Sequence, residues 1–341
     1  MTTLVLQKPG LLICEQDTVQ PDPGSGMVRV RVKVVGVCGT DYHAYRGQQP
    51  FFSYPRILGH EAAVEVVEVG SSVTNVAPGD RCAVKPYVSC GHCIACRRGK
   101  PNCCEKISVL GVHADGALRS EYLVPASNVH KSSSLTFEEL ALVEPLGIGA
   151  HAVARANVQS DDTVLVIGAG PIGLATLQFV KASGAKVAVL DTSPERLRLC
   201  RELLGVENTA EPGASLEENQ ERLKSFFGGD LPTVVFDASG NAKSMASAFL
   251  YPCHGGRLVF VGLFKGELTF SDPEFHKREL TVMGSRNAAS DDFATIIGLM
   301  EQRRVDVGRW VTHRATIEQA PQVLPEWMEP DARCLKGLIS I

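Results

Sequence analysis

No stretch of this sequence approaches the roughly 18 consecutive apolar residues that a membrane-spanning helix needs, and no basic cluster marks a nucleic-acid footprint. Lysine and arginine total 34 against 38 aspartates and glutamates, a formal net charge of −4 that offers a polyanion no attraction. The opening residues, MTTLVLQKPGLLICEQD, lack a positive segment followed by a sustained apolar core. A secretory signal is therefore not read there, and the cytoplasm is the expected compartment. Internal repeats and low-complexity tracts are missing too. An odd count of 11 cysteines in a chain without an export signal argues against a disulfide framework, since cytosolic thiols stay reduced. What is left is a globular chain of 341 residues, 44% apolar and long enough for two domains.

The thiols are not evenly spread. Five crowd into SCGHCIACRRGKPNCC, residues 89–104. Cys90, Cys93 and Cys96 follow a C-x2-C-x2-C spacing, and Cys104 comes after a Gly-Lys-Pro-Asn turn. Four thiolates around Zn²⁺ form a closed tetrahedral site that organises a loop without doing chemistry. Gly91, Gly99 and Pro101 allow tight turns around an ion, and Arg97, Arg98 and Lys100 offset the negative charge of such a centre. Cys103 is the weaker claimant beside Cys104. A reduced, metal-free loop and an iron–sulfur centre are the alternatives at this point.

A second constellation lies upstream, in VCGTDYHAY (residues 37–45) and ILGHEAAVEVVEVG (residues 57–70). Cys38 ends an alternating strand, MVRVRVKVVGV, and His60 and Glu61 begin another. One Cys, one His and one Glu make a mixed donor set of the kind that leaves a coordination position open. Taken singly, such residues are more often structural.

VLVIGAGPIGLATLQFVKASGAKVAVLD, residues 164–191, reads from physics alone. An apolar strand (Val164–Ile167) runs into G-x-G-x-x-G, then an amphipathic helix (Leu174–Ala182), then a second strand (Lys186–Leu190) ending at Asp191. Gly168, Gly170 and Gly173, with Pro171 and Ile172 between them, permit close approach of backbone N–H groups to a pyrophosphate at a helix N-terminus. A carboxylate at Asp191 accepts the adenosine ribose hydroxyls and repels a 2′-phosphate, favouring NAD⁺ over NADP⁺. Arg196, five positions on, is the reservation. Further strands at Thr233–Asp237 and Arg257–Val261, with helices between, complete the α/β pattern of a doubly wound parallel sheet. The polar segment EPGASLEENQERLKSFFGG reads as a loop leading into a surface helix.

The order of these motifs resembles the zinc-containing medium-chain dehydrogenase/reductase family. Cys-Gly-Thr-Asp precedes Gly-His-Glu, Pro-Gly-Asp-Arg (78–81), the four-thiol loop, Glu-Pro-Leu (144–146) and the dinucleotide motif, along nearly the whole chain. The resemblance implies a GroES-like β domain over residues 1–147 and 285–341 and a Rossmann NAD-binding domain over 148–284. It implies two zinc ions per chain, with the catalytic one held by Cys38, His60 and Glu61. Glu144 then ligates directly or through a water. It further implies NAD as cofactor and a homodimer or homotetramer. Thr40 and His43 match the family's proton relay; a turn residue and a surface imidazole are their bland readings. Glu-Pro-Leu in place of a cysteine resembles the polyol, sugar and threonine dehydrogenase branch.

Within that branch, Arg286 and Asn287 stand where the family carries Arg-Tyr, and the stretch CGTDYHAYRGQQPFFSYPRILGHE with GSRNA resembles sugar-acid dehydrogenases acting on L-galactonate or L-gulonate. A guanidinium at 286 suits a bidentate grip on a carboxylate. A polyol or L-threonine is the alternative substrate. Phe51, Phe52 and Tyr54 read as cleft-rim residues, with a core role the alternative for both phenylalanines. Arg119 departs from the family's Gly-Gly-Phe-Ala-Glu-Tyr strand and is expected near the zinc-domain surface. Lys336 reads either as a group reaching the cofactor cleft or as an ordinary strand-edge lysine. Two further classes compete: a non-enzymatic zinc-ribbon module, disfavoured by the charge and by the Cys38/His60/Glu61 set, and a catalytically inactive zinc- and NAD-binding protein.

Overall fold

The computed structural model describes residues 2–16, 21–49 and 52–341. Phe51, one of the expected rim residues, lies outside them. The chain divides into two compact units, 1–144 with 288–341, and 145–287. No helix among the described residues is long and apolar enough to cross a membrane.

The first unit is built on a sheet in the order Val129–Lys131, Arg81–Val84, Glu61–Val69, Met27–Val37, Lys336–Ser340, Val311–Thr316, with Glu121–Pro125 also pairing Met27–Val37. The long strand shows why. Val28, Val30 and Val32 point inward and are at most 1% exposed, while Arg29, Arg31 and Lys33 point outward to Glu68, Glu121 and Glu65. A period of two puts all three valines on one face, and that face joins the main core with Leu4, Leu58, Leu118 and Tyr122. Phe52 and Tyr54 pack against the same core, edge to face at 4.9 Å. The short ladder Tyr87–Val88 with Ser108–Val109 stands apart from this sheet.

The second unit is a parallel sheet of six strands, in the order Thr209–Ala210, Lys186–Leu190, Thr163–Ile167, Val234–Asp237, Arg257–Phe260, Thr281–Gly284. Val164, Leu165 and Val166 are 0% exposed, as continuous apolar runs are in sheets covered on both faces. The strand order reverses beside Thr163–Ile167, which is where open α/β sheets bind ligands. The helix after it spans Pro171–Ser183, three residues longer at its start than the apolar pattern suggests. Gly170 is its N-cap and Pro171 its first residue, a position where the missing N–H is no loss. The polar segment folds as expected, into a helix at Leu216–Phe226 capped by Ser215.

Candidate active site and metal centres

The thiol loop closes on itself. The sulfurs of Cys90, Cys93, Cys96 and Cys104 all lie within 4.8 Å of one another, with Cys93 and Cys96 at 3.5 Å. A zinc–sulfur bond of about 2.3 Å gives a tetrahedral edge of about 3.8 Å, so the donor set fits a zinc ion. Backbone N–H groups face the sulfurs: Cys90 N and Lys106 N donate to Cys104 Sγ at 3.2 and 3.3 Å. Such donors, from Cys96 and Glu105, lower the Cys93 thiol, and those of His92 and Cys93 lower Cys90. Burial raises Cys96. Cys103 is exposed and outside the cluster.

The second centre forms at a corner between two strands. Cys38 follows directly on the strand Met27–Val37 and caps the helix Gly39–Tyr45. Glu61 opens the neighbouring strand, paired with Gly36. That pairing requires glycine: a methyl group on residue 36 would lie 2.0 Å from Glu61 Oε2. Donor atoms of Cys38, His60 and Glu61 consequently fall within 4.8 Å of one another. A borderline-soft divalent ion of the zinc kind suits this sulfur, nitrogen and oxygen set.

Three residues that sequence reasoning did not place at the site surround it. Asp41, 4% exposed, accepts from Cys38 N at 2.9 Å through one oxygen and lies 3.7 Å from His60 Nδ1 through the other. The carboxylate thus lies beside the ring, too far for a hydrogen bond but near enough to favour its charged form. The spacing Cys38-x-x-Asp41, a capping-box spacing, was the available signal. Tyr87 donates its hydroxyl to Glu144; nothing in its neighbourhood of the sequence announces this. Lys336 is not an ordinary strand-edge lysine, since its strand is paired on both sides. It is 3% exposed and ion-paired with Glu61, which is 1% exposed.

The electrostatics follow from burial. Desolvation pushes Glu144 up to about 7, with Glu61 adding to the rise and His60, Tyr87 and Lys336 opposing it. Burial alone would lower His60, but Asp41, Cys38 and Glu144 outweigh it and raise the imidazole well above its ordinary value. Lys336 behaves alike: burial lowers it, and Glu61, Cys38 and Glu144 raise it. His60 and Lys336 thus lie among Asp41, Glu61 and Glu144 in one buried cluster of titratable side chains.

Glu144 is not among the donors within 4.8 Å of one another, although it senses both His60 and Glu61. Thr40 is half-buried on the short helix and His43 is exposed on its last turn; no hydrogen bond joins their side chains among the described residues. Arg119 is partly buried, its guanidinium 5.4 Å from the Tyr122 ring and its Nε shielded from solvent.

In the second unit, Gly168 adopts a φ of +92°, open to glycine, and a methyl on Gly173 would lie 1.8 Å from Gly168 O. Asp191 is already drawn into this turn. Its Oδ2 accepts from Ala169 N at 2.6 Å, its Oδ1 from Ser193 N at 2.7 Å, and Arg196 Nη1 approaches Oδ2 at 3.9 Å. The turn with Pro171 and Ile172 opens the helix, giving an N-terminus for a pyrophosphate. Arg286 is exposed, and Asn287 takes a left-handed φ of +55°, which asparagine tolerates better than most residues.

Comparison with known proteins accounts for both units. Residues 24–134 match the alcohol dehydrogenase GroES-like domain and residues 171–302 the zinc-binding dehydrogenase domain. Over 341 residues the chain is 45% identical to L-galactonate-5-dehydrogenase of Escherichia coli K12, covering 100% of this chain and 99% of that one. It is 31% identical over 312 residues to L-idonate 5-dehydrogenase of Vitis vinifera, covering 89% and 85%. A crystal structure of a short chain alcohol dehydrogenase from E. coli CFT073, complexed with the cofactor NADH, superimposes with a TM-score of 0.92 at 31% identity, covering 100% and 99%. With a GroES-like domain, a doubly wound dinucleotide-type sheet and relatives of this closeness along its full length, the chain belongs to the zinc-binding alcohol dehydrogenase family and is a zinc- and NAD-dependent oxidoreductase.

Proposed function

We propose that the protein oxidises a secondary alcohol of a six-carbon sugar acid, L-galactonate or L-gulonate at C5, to the ketone with NAD⁺. The observation that carries this reading is the end-to-end 45% identity to a dehydrogenase of L-galactonate. Cys38 and His60, with Glu61 or Glu144, are the residues that would hold the catalytic zinc; Cys90, Cys93, Cys96 and Cys104 would hold the structural one. When bound, the catalytic zinc supplies Lewis acidity toward an alcohol and the nicotinamide supplies the hydride acceptor.

The chain's own groups supply the rest. Asp41 places a carboxylate beside the His60 ring, and Lys336 holds the Glu61 carboxylate. Thr40 takes up the hydroxyl proton, and the exposed His43 passes it to solvent. Backbone N–H groups of the turn at Gly168, Gly170 and Gly173, with Pro171 and Ile172 opening the helix, bind the pyrophosphate; Asp191 binds the ribose, with Arg196 beside it. Arg286 is assigned the substrate carboxylate and Asn287 a neighbouring hydroxyl, on the chemistry of their side chains.

The test is a substrate panel. NADH formation is followed with L-galactonate, L-gulonate, galactitol, sorbitol and L-threonine. Hexonates should be turned over fastest; a hexitol or L-threonine in first place moves the assignment to that class. Turnover of none, with two zinc ions bound and NADH taken up, would place the protein among inactive members of the family.

A further inference from the structure

We propose that Tyr87 is the positioning residue for Glu144 and that the thiol loop holds Tyr87 in place, so that the two metal centres are linked through one side chain. The inference rests on the reading of Glu144 as a carboxylate of the catalytic centre. Glu144 is 5% exposed, and a carboxylate buried to that degree needs donors to fix it. The two carboxylates at the centre are held differently. Lys336 Nζ lies 2.7 Å from both oxygens of Glu61, whereas among the described residues the hydrogen bond on Glu144 comes from the Tyr87 hydroxyl to a single oxygen, Oε1. That bond leaves Oε2 of Glu144 to act toward the centre, whose His60 and Glu61 the carboxylate senses, and Tyr87 would set the carboxylate's orientation.

Tyr87 is itself fixed by the loop that follows it. It pairs with Val109 in the two-stranded ladder Tyr87–Val88/Ser108–Val109. Cys90 comes one residue beyond that ladder's first strand, after Ser89, and Cys104 shortly before its second. The four-sulfur cluster therefore closes a hairpin whose stem carries Tyr87. A buried amide completes the clamp: Asn128 Nδ2 donates to Tyr87 O at 3.0 Å and to Lys85 O at 2.7 Å, and Lys85 N donates to Asn128 O at 2.8 Å. A metal ion in the loop would keep the two stem strands from parting, and Tyr87, 6% exposed, would then keep its hydroxyl on Glu144.

The test uses the full-length holoenzyme with cobalt(II) exchanged into the catalytic centre, whose visible absorption reports ligand geometry. Tyr87→Phe removes only the donor. Expected are two metal ions per chain, a displaced cobalt spectrum, and kcat lower by about tenfold or more with KM for the alcohol within about twofold, the loss of one hydrogen bond to a charged group. Asn128→Ala, which leaves the hydroxyl and the sulfurs intact, should displace the spectrum the same way but less. A wild-type spectrum and kcat in Tyr87→Phe overturns the positioning role, and an unchanged spectrum in Asn128→Ala overturns the anchoring by the loop stem. Glu144→Gln separates the two levels of the argument. If it alters the spectrum while Tyr87→Phe does not, only this inference fails; if it too leaves spectrum and kcat unchanged, the reading of Glu144 fails and takes this one with it.

Discussion

Lys336 Nζ sits 2.7 Å from each carboxylate oxygen of Glu61 and 3.1 Å from Val37 O, with 3% and 1% of the two side chains exposed. A buried pair of this kind contributes little against a well-packed apolar pair, but breaking it strands a charge. Lys336→Met should destabilise the protein by about 3–5 kcal/mol in urea unfolding. Lys336→Met combined with Glu61→Leu should recover most of that loss. A single variant as stable as the wild type would show that Glu61 is neutral without its lysine.

That pair also marks what a sequence can and cannot disclose. The alternation of MVRVRVKVVGV set both the strand and its buried face, and the glycine pattern with its flanking strands set the parallel sheet, because local periodicity and backbone sterics determine both. The four cysteines announced themselves because one short loop holds all of them. Lys336 and Glu61 are 275 positions apart, and their meeting depends on the antiparallel register of Gly337 with Val37 and of Gly36 with Glu61. Tyr87 and Glu144 are likewise joined only by tertiary packing. Asp41 is the intermediate case: its capping position was visible, but its second oxygen facing His60 was not.

The thiol loop and the Cys38 centre should lose metal differently. The four-sulfur site leaves no ligand position open, so brief chelation should abolish turnover before it unfolds the chain. Cys93→Ser should reduce folded yield and zinc content to about one ion per chain, whereas Cys38→Ser should fold normally and lose turnover. Freshly purified wild-type protein with one zinc or none by elemental analysis would sink this account.

Asp191 should make NAD⁺ the strongly preferred cofactor, since its carboxylate meets a ribose favourably and a 2′-phosphate unfavourably. Its Oδ2 also braces Ala169 N in the glycine turn. Asp191→Ser should therefore raise KM for NAD⁺ by roughly ten- to a hundredfold, the equivalent of one charged hydrogen bond, and narrow the gap to NADP⁺. Equal use of the two cofactors by the wild type would mean that Arg196, 3.9 Å from the same carboxylate, dominates the site.

His130 should make stability depend on pH below neutrality. Burial first and then Lys85 push its imidazole down from 6.5 to about 4, with Asp291 opposing. Among the described residues its buried Nε2 has no hydrogen-bond partner, and its ring lies 5.1 Å from that of Phe293. The unfolded chain therefore binds a proton that the folded chain refuses between about pH 4 and 6.5, so stability falls as pH drops through that window. From pH 7 to pH 5 this amounts to about 2 kcal/mol. His130→Gln should lose that much less over the same interval; an identical pH slope in both proteins would acquit His130.

The substrate preference should rest on Arg286. An arginine opposite a carboxylate gains a charge-assisted, bidentate pair, whereas opposite a hydroxymethyl group it gains an ordinary hydrogen bond at most. The difference is roughly 1.5–3 kcal/mol for hydrogen bonds to charged groups, which corresponds to about ten- to a hundredfold in specificity. L-Galactonate and L-gulonate should accordingly exceed galactitol and sorbitol by that factor in kcat/KM. Arg286→Ala should erase the advantage yet retain weak activity on the neutral polyols, because Cys38, His60 and the dinucleotide turn are untouched. Arg286→Lys should keep part of the preference, since it preserves the charge and loses the fork. Because the effect is on discrimination rather than on turnover, the ratio of kcat/KM values across the four substrates decides it. If Arg286→Ala lowers all four equally, the arginine acts on the fold or on the cofactor, and the carboxylate is recognised elsewhere.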